Sequence, residues 1–222
     1  MNQNRLIVFE GISGAGKSTL IDLLIKKNPD YVLMNWFSEE SVKEYAKGIH
    51  QFVDASPELY STIYATDFLV KQTYLMEPLL NRKKTILAHR YIYSQLVRDI
   101  VCGTSRAYLN YCYMQHIEPA MVFYLDLEPN IALERINNYR IPSFYECGFD
   151  LVYRRNLDKG WQCYHDMNDE NISKYFIDFQ KKVRSEYENI FKAMDENKVK
   201  ILDASLPLEK LYDIVSDKIQ QI

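Results

Sequence analysis

An excess of basic residues is missing from this chain. Its 27 lysines and arginines stand against 30 aspartates and glutamates, a formal charge of −3, whereas a protein that grips nucleic acid by its phosphates normally carries a positive face. No nucleic-acid partner is therefore expected; a small anionic ligand caught by a few local cations fits better. The four cysteines, Cys102, Cys112, Cys147 and Cys163, lack the paired two-residue spacing of a structural zinc site, and the four histidines are scattered. They are expected to be reduced thiols of a cytoplasmic protein. No apolar stretch approaches the roughly 18 residues of a membrane span, and the polar stretch 1–5 leads straight into a strand-like run. Neither a membrane segment nor a signal peptide is expected. Internal repeats and low-complexity tracts are also absent. The 18 tyrosines read as amphipathic padding at the edges of the core.

What is present is alternation. Apolar runs of strand length fall at 6–10, 31–35, 85–88, 121–126 and 198–202, separated by longer helical stretches. This pattern predicts an α/β fold, a five-stranded parallel sheet covered by helices on both faces, and the 222 residues suit one domain, 1–222. Helices are expected from Lys17 to about Asn28, over 39–53, from Ser56-Pro57 towards Leu80 with a kink or end at Pro78, over 92–102 and 105–117, from Pro129, over 172–195, and from Pro207 onward. Between about 139 and 171 the periodicity fails around Pro142, Gly148 and Gly160. That stretch is predicted to be a mobile excursion, a helical and loop lid.

The first apolar run leads directly into Gly11-Ile12-Ser13-Gly14-Ala15-Gly16-Lys17-Ser18-Thr19, a glycine, four residues, then Gly-Lys-Ser between a strand and a helix. This is the phosphate-cradling P-loop, and it places the chain in the three-layer α/β/α architecture of P-loop NTPases. Its glycines let successive backbone N–H groups point at phosphate oxygens, and the following helix adds the positive end of its dipole. Residues Gly11, Ser13, Gly14, Ala15, Gly16, Lys17, Ser18 and Thr19 are the expected ATP contacts, with Lys17 reaching the outer phosphates and Ser18 offering its hydroxyl to Mg2+.

Taken with this loop, two further segments make the chain resemble the thymidylate kinase family of nucleoside monophosphate kinases over nearly its whole length. Arg90-Tyr91 with Ser94 is similar to that family's Asp-Arg-Tyr signature, with His89 in the aspartate's place, and Glu118 to Pro129, continuing through Leu133 and Arg135-Ile136, is similar to the strand and helix before its lid. The resemblance implies ATP as co-substrate with Mg2+, a nucleoside monophosphate acceptor with thymidylate as the default, and a homodimer paired through long helices. It also implies an acceptor pocket at Asn35, Tyr64, Phe68, Arg90, Ser94, Gln95 and Arg98. Several of those positions depart from the family: Ser13 stands for an aspartate, Asn35-Trp36-Phe37 for an Arg-Glu-Pro stretch, Phe68 for an arginine and Arg98 for a tyrosine. The ATP end matches and the acceptor end is rewritten, so a deoxynucleoside kinase, a kinase of a modified nucleotide and a non-catalytic nucleotide-binding protein stay open as alternatives.

Phosphoryl transfer needs alignment and cationic stabilisation more than covalent chemistry. The expected cations are Lys17, Arg90 at the carboxyl end of the third strand, and Arg135 and Arg140 at the root of the lid, with Arg154-Arg155 read as a solvated pair. Arg98 is weighed as a relocated clamp for the acceptor's anionic group or as one half of a surface ion pair with Asp99 or a nearby acid. For Mg2+, Glu10 or Asp126 could assist Ser18 through water. His89 is read as a hydrogen-bonding support or an acceptor contact rather than a magnesium ligand.

Overall fold

The structure is a computed structural model, and it describes residues 5–35, 57–153 and 156–222. Five strands, β1 (Leu6–Glu10), β2 (Val32–Asn35), β3 (Ile86–His89), β4 (Met121–Asp126) and β5 (Val199–Asp203), form one parallel sheet in the order β2-β3-β1-β4-β5. The central strands β1 and β4 are continuous apolar runs because helices cover both of their faces; every residue of β1 is buried. The edge strands β2 and β5 keep exposed positions. In register, Phe9 and Asn35 both lie beside His89, so the carboxyl ends of β1, β2 and β3 finish level. That edge is where open parallel sheets bind ligands.

The helices Lys17–Lys27, Pro57–Lys71, Ile92–Val101, Pro129–Asn137, Asp169–Lys192 and Leu208–Gln220 fall close to the places their periodicity predicts. The expected kink at Pro78 takes the form of a π-helical turn, Gln72–Met76, followed by Glu77–Asn81. Proline has no N–H to give, and the chain relieves the conflict by widening the turn before it, Glu77 N–H bonding back to the Gln72 carbonyl. The helix expected over 105–117 is shorter, Arg106–Tyr113, its tail unwinding ahead of Glu118-Pro119. The helix expected over 39–53 lies outside the described residues, as do Trp36, Phe37, Ser56, Arg154 and Arg155.

The stretch 139–171 is helical and loop, as expected of a lid, and more closely packed than its broken periodicity suggests. It contains the helices Phe149–Val152 and Leu157–His165 and leads into Asp169–Lys192, with Asn156 and Asn168 capping the last two by accepting the N–H groups of Lys159 and Asn171, both at 2.9 Å. Instead of loose excursion, it has a core of its own. Phe144 stacks on Trp161 with ring centroids 4.0 Å apart, and Phe149 and Tyr164 close around the pair. The Tyr164 hydroxyl donates to the Pro142 carbonyl at 2.7 Å. Among the described residues no helix is long and apolar enough to cross a membrane.

Candidate active site

The loop after β1 turns as its glycines require. Gly11 and Gly14 hold φ of 143° and 82°, and a β-carbon on them would stand 2.5 Å from the Leu125 carbonyl oxygen and 2.7 Å from that of Ala132. Neither the angle nor the space admits a side chain. Gly16 caps the helix Lys17–Lys27, which opens without an acidic residue in its first turn, leaving the positive end of its dipole for an anion. The Lys17 ammonium is buried inside the loop, donating to the carbonyls of Gly11 at 2.9 Å and Ile12 at 2.7 Å. Burial, and then Arg90 nearby, hold its pKa well below the ordinary lysine value, while Glu10 and Glu146 act in the opposite sense.

Ser18 and Thr19 are exposed at the start of the helix. The Ser18 hydroxyl lies 3.1 Å from His89 Nε2. Burial first, then the charges of Lys17 and Arg90, push the His89 imidazole down to about 3, so a neutral ring able to accept the serine's proton stands where the family carries an aspartate. The two carboxylates considered for the metal are committed elsewhere. Glu10 is fully buried and accepts the backbone N–H groups of Tyr91 (2.8 Å) and Ser94 (3.2 Å) and the hydroxyls of Ser94 (2.6 Å) and Tyr187 (2.8 Å). Asp126 accepts from Arg184 at 2.7 and 3.0 Å. No group of three or more histidines, cysteines and carboxylates that could hold a metal occurs among the described residues.

Arg90 follows β3 in the left-handed region, φ 69°, its N–H bonded to the Phe9 carbonyl at 3.0 Å. A non-glycine residue there stores strain, and the result is a guanidinium turned along the sheet edge, donating to the hydroxyls of Ser94 at 2.9 Å and Tyr187 at 3.3 Å. Arg135, on the helix Pro129–Asn137, lies over the loop. Its Nη1 is 3.8 Å from where a β-carbon on Gly16 would stand, and its Nη2 donates to the Ala204 carbonyl at 2.9 Å. Arg140 sits further out, forked onto the Glu146 carboxylate at 2.7 and 2.8 Å.

On the acceptor side, the Ser61 hydroxyl donates to Asp99 at 2.7 Å and ties the helix Pro57–Lys71 to Ile92–Val101, bringing Tyr64 beside Arg98. Burial, followed by the neighbouring Asp150 carboxylate, pushes the Tyr64 phenol up to about 12. Gln95 is 2 % exposed, a buried carboxamide one turn before Arg98. Asn35 is exposed at the end of β2. Two further expected acceptor contacts are as enclosed as Gln95. Phe68 is 1 % exposed and packed edge-on against Tyr91, Tyr113 and His116. Ser94 is fully enclosed, its hydroxyl engaged by Glu10, Arg90 and Tyr187. Arg98 is paired, as one of its two readings had it, but with Asp150 of the lid, at 2.9 and 2.7 Å, and with the Tyr145 carbonyl at 3.1 Å.

Sequence reading missed the residues that join these parts. Gln180, on Asp169–Lys192, accepts the Ser13 N–H at 3.3 Å and donates to the Glu146 carbonyl at 2.7 Å, bridging loop and lid. Two turns along, Tyr187 reaches Glu10 and Arg90. Both sit among Phe176, Phe179, Val183 and Phe191 on one buried stripe. A glutamine inside an apolar stripe was the signal available, since a buried amide needs partners.

The comparisons agree with this geometry. A protein named probable thymidylate kinase 2, from Saccharolobus solfataricus, is 29% identical over 208 residues, covering 92% of this chain and 90% of its own. A thymidylate kinase of Ligilactobacillus salivarius is 26% identical over 230 residues, 95% of each chain, and one of Leptospira interrogans is 35% identical over 143 residues, 59% of this chain and 68% of its own. The family model described as thymidylate kinase matches residues 9–173, a span running from the end of β1 through the P-loop and Arg90 into the lid, and the chain belongs to the thymidylate kinase family.

Proposed function

We propose that this protein is a nucleoside monophosphate kinase that transfers the γ-phosphoryl group of ATP to thymidylate, giving dTDP and ADP. The observation that carries the reading is the meeting, at one sheet edge, of a complete phosphate loop with buried Lys17 and of Arg90, which lies near Lys17 and is bonded to Ser94 and Tyr187. The loop amides and the dipole of Lys17–Lys27 bind the triphosphate. Lys17, exchanging its two carbonyl partners for phosphate oxygens, and Arg135 above Gly16 stabilise charge on the moving group. Arg90 lies between donor and acceptor and aligns the acceptor oxygen for in-line attack. Mg2+, brought by the nucleotide and met by the Ser18 hydroxyl, supplies charge neutralisation at the outer phosphates. His89, accepting the Ser18 proton, leaves that oxygen's lone pairs free to face a cation. Tyr64 offers a stacking face for a base, and the Gln95 carboxamide a hydrogen-bonding edge. Arg140 acts through Glu146 to order the lid, which excludes water from the transfer.

The four cysteines are free thiols, which supports a cytoplasmic location, and the exposed Tyr74, Tyr111 and Met114 provide apolar surface for pairing as a homodimer, checked by sedimentation. The activity is tested by incubating the protein with ATP and Mg2+ against thymidylate, other nucleoside monophosphates, nucleosides and no acceptor. Thymidylate is expected to yield ADP well above background. ADP formed only with nucleosides would replace the reading by a nucleoside kinase, and none with any acceptor would leave a nucleotide-binding protein.

A further inference from the structure

Arg90 is an unusual thing to place at a reaction centre: a long side chain with its backbone in a strained region and its charge beside another cation, Lys17. Something must hold it. The hydrogen bonds around it lead to a buried carboxyl group. The Glu10 carboxylate, fully buried, takes two backbone N–H groups on Oε1 and the hydroxyls of Ser94 and Tyr187 on Oε2. Both hydroxyls lie within hydrogen-bonding distance of Glu10 Oε2 and, at 2.8 Å, of each other, and each oxygen accepts from Arg90 Nη1, at 2.9 Å for Ser94 and 3.3 Å for Tyr187. A buried carboxyl group is thus joined to the guanidinium through two hydroxyl oxygens. Hydrogen bonds donated by a cation are the stronger kind.

Ser94 and Glu10 come from the two elements that flank Arg90, the helix Ile92–Val101 and β1. Tyr187 comes from elsewhere, 97 residues along the chain from Arg90. We propose that Tyr187 is a positioning residue for Arg90, its hydroxyl fixing the guanidinium at the acceptor from the far helix Asp169–Lys192. The ring is built into the core independently of the hydroxyl, fully buried, stacked on Phe191 with centroids 5.6 Å apart and against Tyr124 at 5.3 Å. That helix also carries Gln180, seven residues earlier and about 10 Å away along the axis, which touches the phosphate loop and the lid. One rigid element therefore gauges the distance between the donor's loop and the acceptor's arginine.

The inference rests on the kinase reading for its kinetic form, not for its structural form, and the test separates the two. Tyr187→Phe keeps the ring and removes the hydroxyl. With thymidylate as acceptor, kcat is expected to fall about tenfold or more, as for loss of a hydrogen bond to a charged group, with ATP affinity unchanged. In an Arg90→Lys background, which lacks the guanidinium, the same substitution is expected to cost little further, because its effect passes through that group. Full additivity, or unchanged kcat, overturns the proposal. Independently of any acceptor, the Arg90 side-chain N–H resonance of isotope-labelled protein, assigned by its loss in Arg90→Lys, should move and exchange faster with water in Tyr187→Phe. If it stays in place the proposal fails, even where turnover is normal. If the wild-type protein is inactive towards thymidylate, the kinase reading fails and the resonance still decides the role of Tyr187.

Discussion

The phosphate loop and the lid face each other across one site but are held by different kinds of force. The loop is local: residues 11–19 curl because glycines at set positions allow it, and the groups it presents are backbone N–H and a lysine from the same nine residues. The lid is assembled from afar. Its order depends on Phe144 meeting Trp161, on Arg98 meeting Asp150 52 residues away, and on Gln180 meeting Glu146 34 residues away. Of the departures from the family's pattern, Ser13 falls within the loop, whereas Asn35, Phe68 and Arg98 fall outside it.

The comparison is most sharply tested at Lys17. Lys17→Ala should lower kcat by about 100- to 1,000-fold, the usual effect of removing a preorganised charge from the transition state. Thermal stability should hold or rise, since burying the ammonium is itself unfavourable. A melting temperature that drops with activity would make the loop as dependent on tertiary contacts as the lid.

Next in size is the lid's core. Phe144→Ala should cost about 3 kcal/mol or more of local stability, as for large-to-small changes in aromatic cores. Hydrogen exchange should accelerate over 142–165 and leave β1 and Lys17–Lys27 protected. Exchange spreading evenly over the whole chain would erase the distinction between the two regions.

Arg98→Ala follows. A fully buried ion pair costs about 3–5 kcal/mol when one partner is removed, but here the side chains are 13% and 19% exposed, so a smaller loss is expected, confined to the lid and seen as faster limited proteolysis there. Acceptor KM measured on the same variant separates the two readings of this arginine. A large rise with the lid still protected would make Arg98 an acceptor contact rather than a latch.

The smallest effect concerns pH. The unfolded chain takes a proton on His89 near the ordinary 6.5, whereas the folded imidazole resists until about 3. The unfolded state therefore binds more protons in that window, and folding stability falls as pH drops through it. His89→Gln should shrink the difference in urea midpoint between about pH 7 and about pH 5. An unchanged difference would mean that the ring charges freely beside Ser18.

Much of the donor end was legible in the sequence because its determinants are consecutive: a buried strand, spaced glycines, Lys17 and Ser18, and a strand order that brings Arg90 to the same edge. The helix periodicities were legible for the same reason. The lid was not, since its short helices carry no run long enough to show a period, although Asn156 and Asn168, each followed by acidic residues, are capping signals that marked two helix starts. The ring partners of Phe68 were not legible because position along a helix does not say what a side chain packs against. Those of Ser94 were not legible because they lie 84 and 93 residues away.

By itself, then, the order of residues determined the reaction class and the parallel sheet, through backbone rules that act over a few residues and periodicities that act over one element. Tertiary structure alone decided which carboxylate supports Arg90, which acid takes Arg98, and that Gln180 and Tyr187 span the site. The physical reason is that a buried charge or amide is satisfied by whichever partner packing brings within about 3 Å, and no local pattern records that choice.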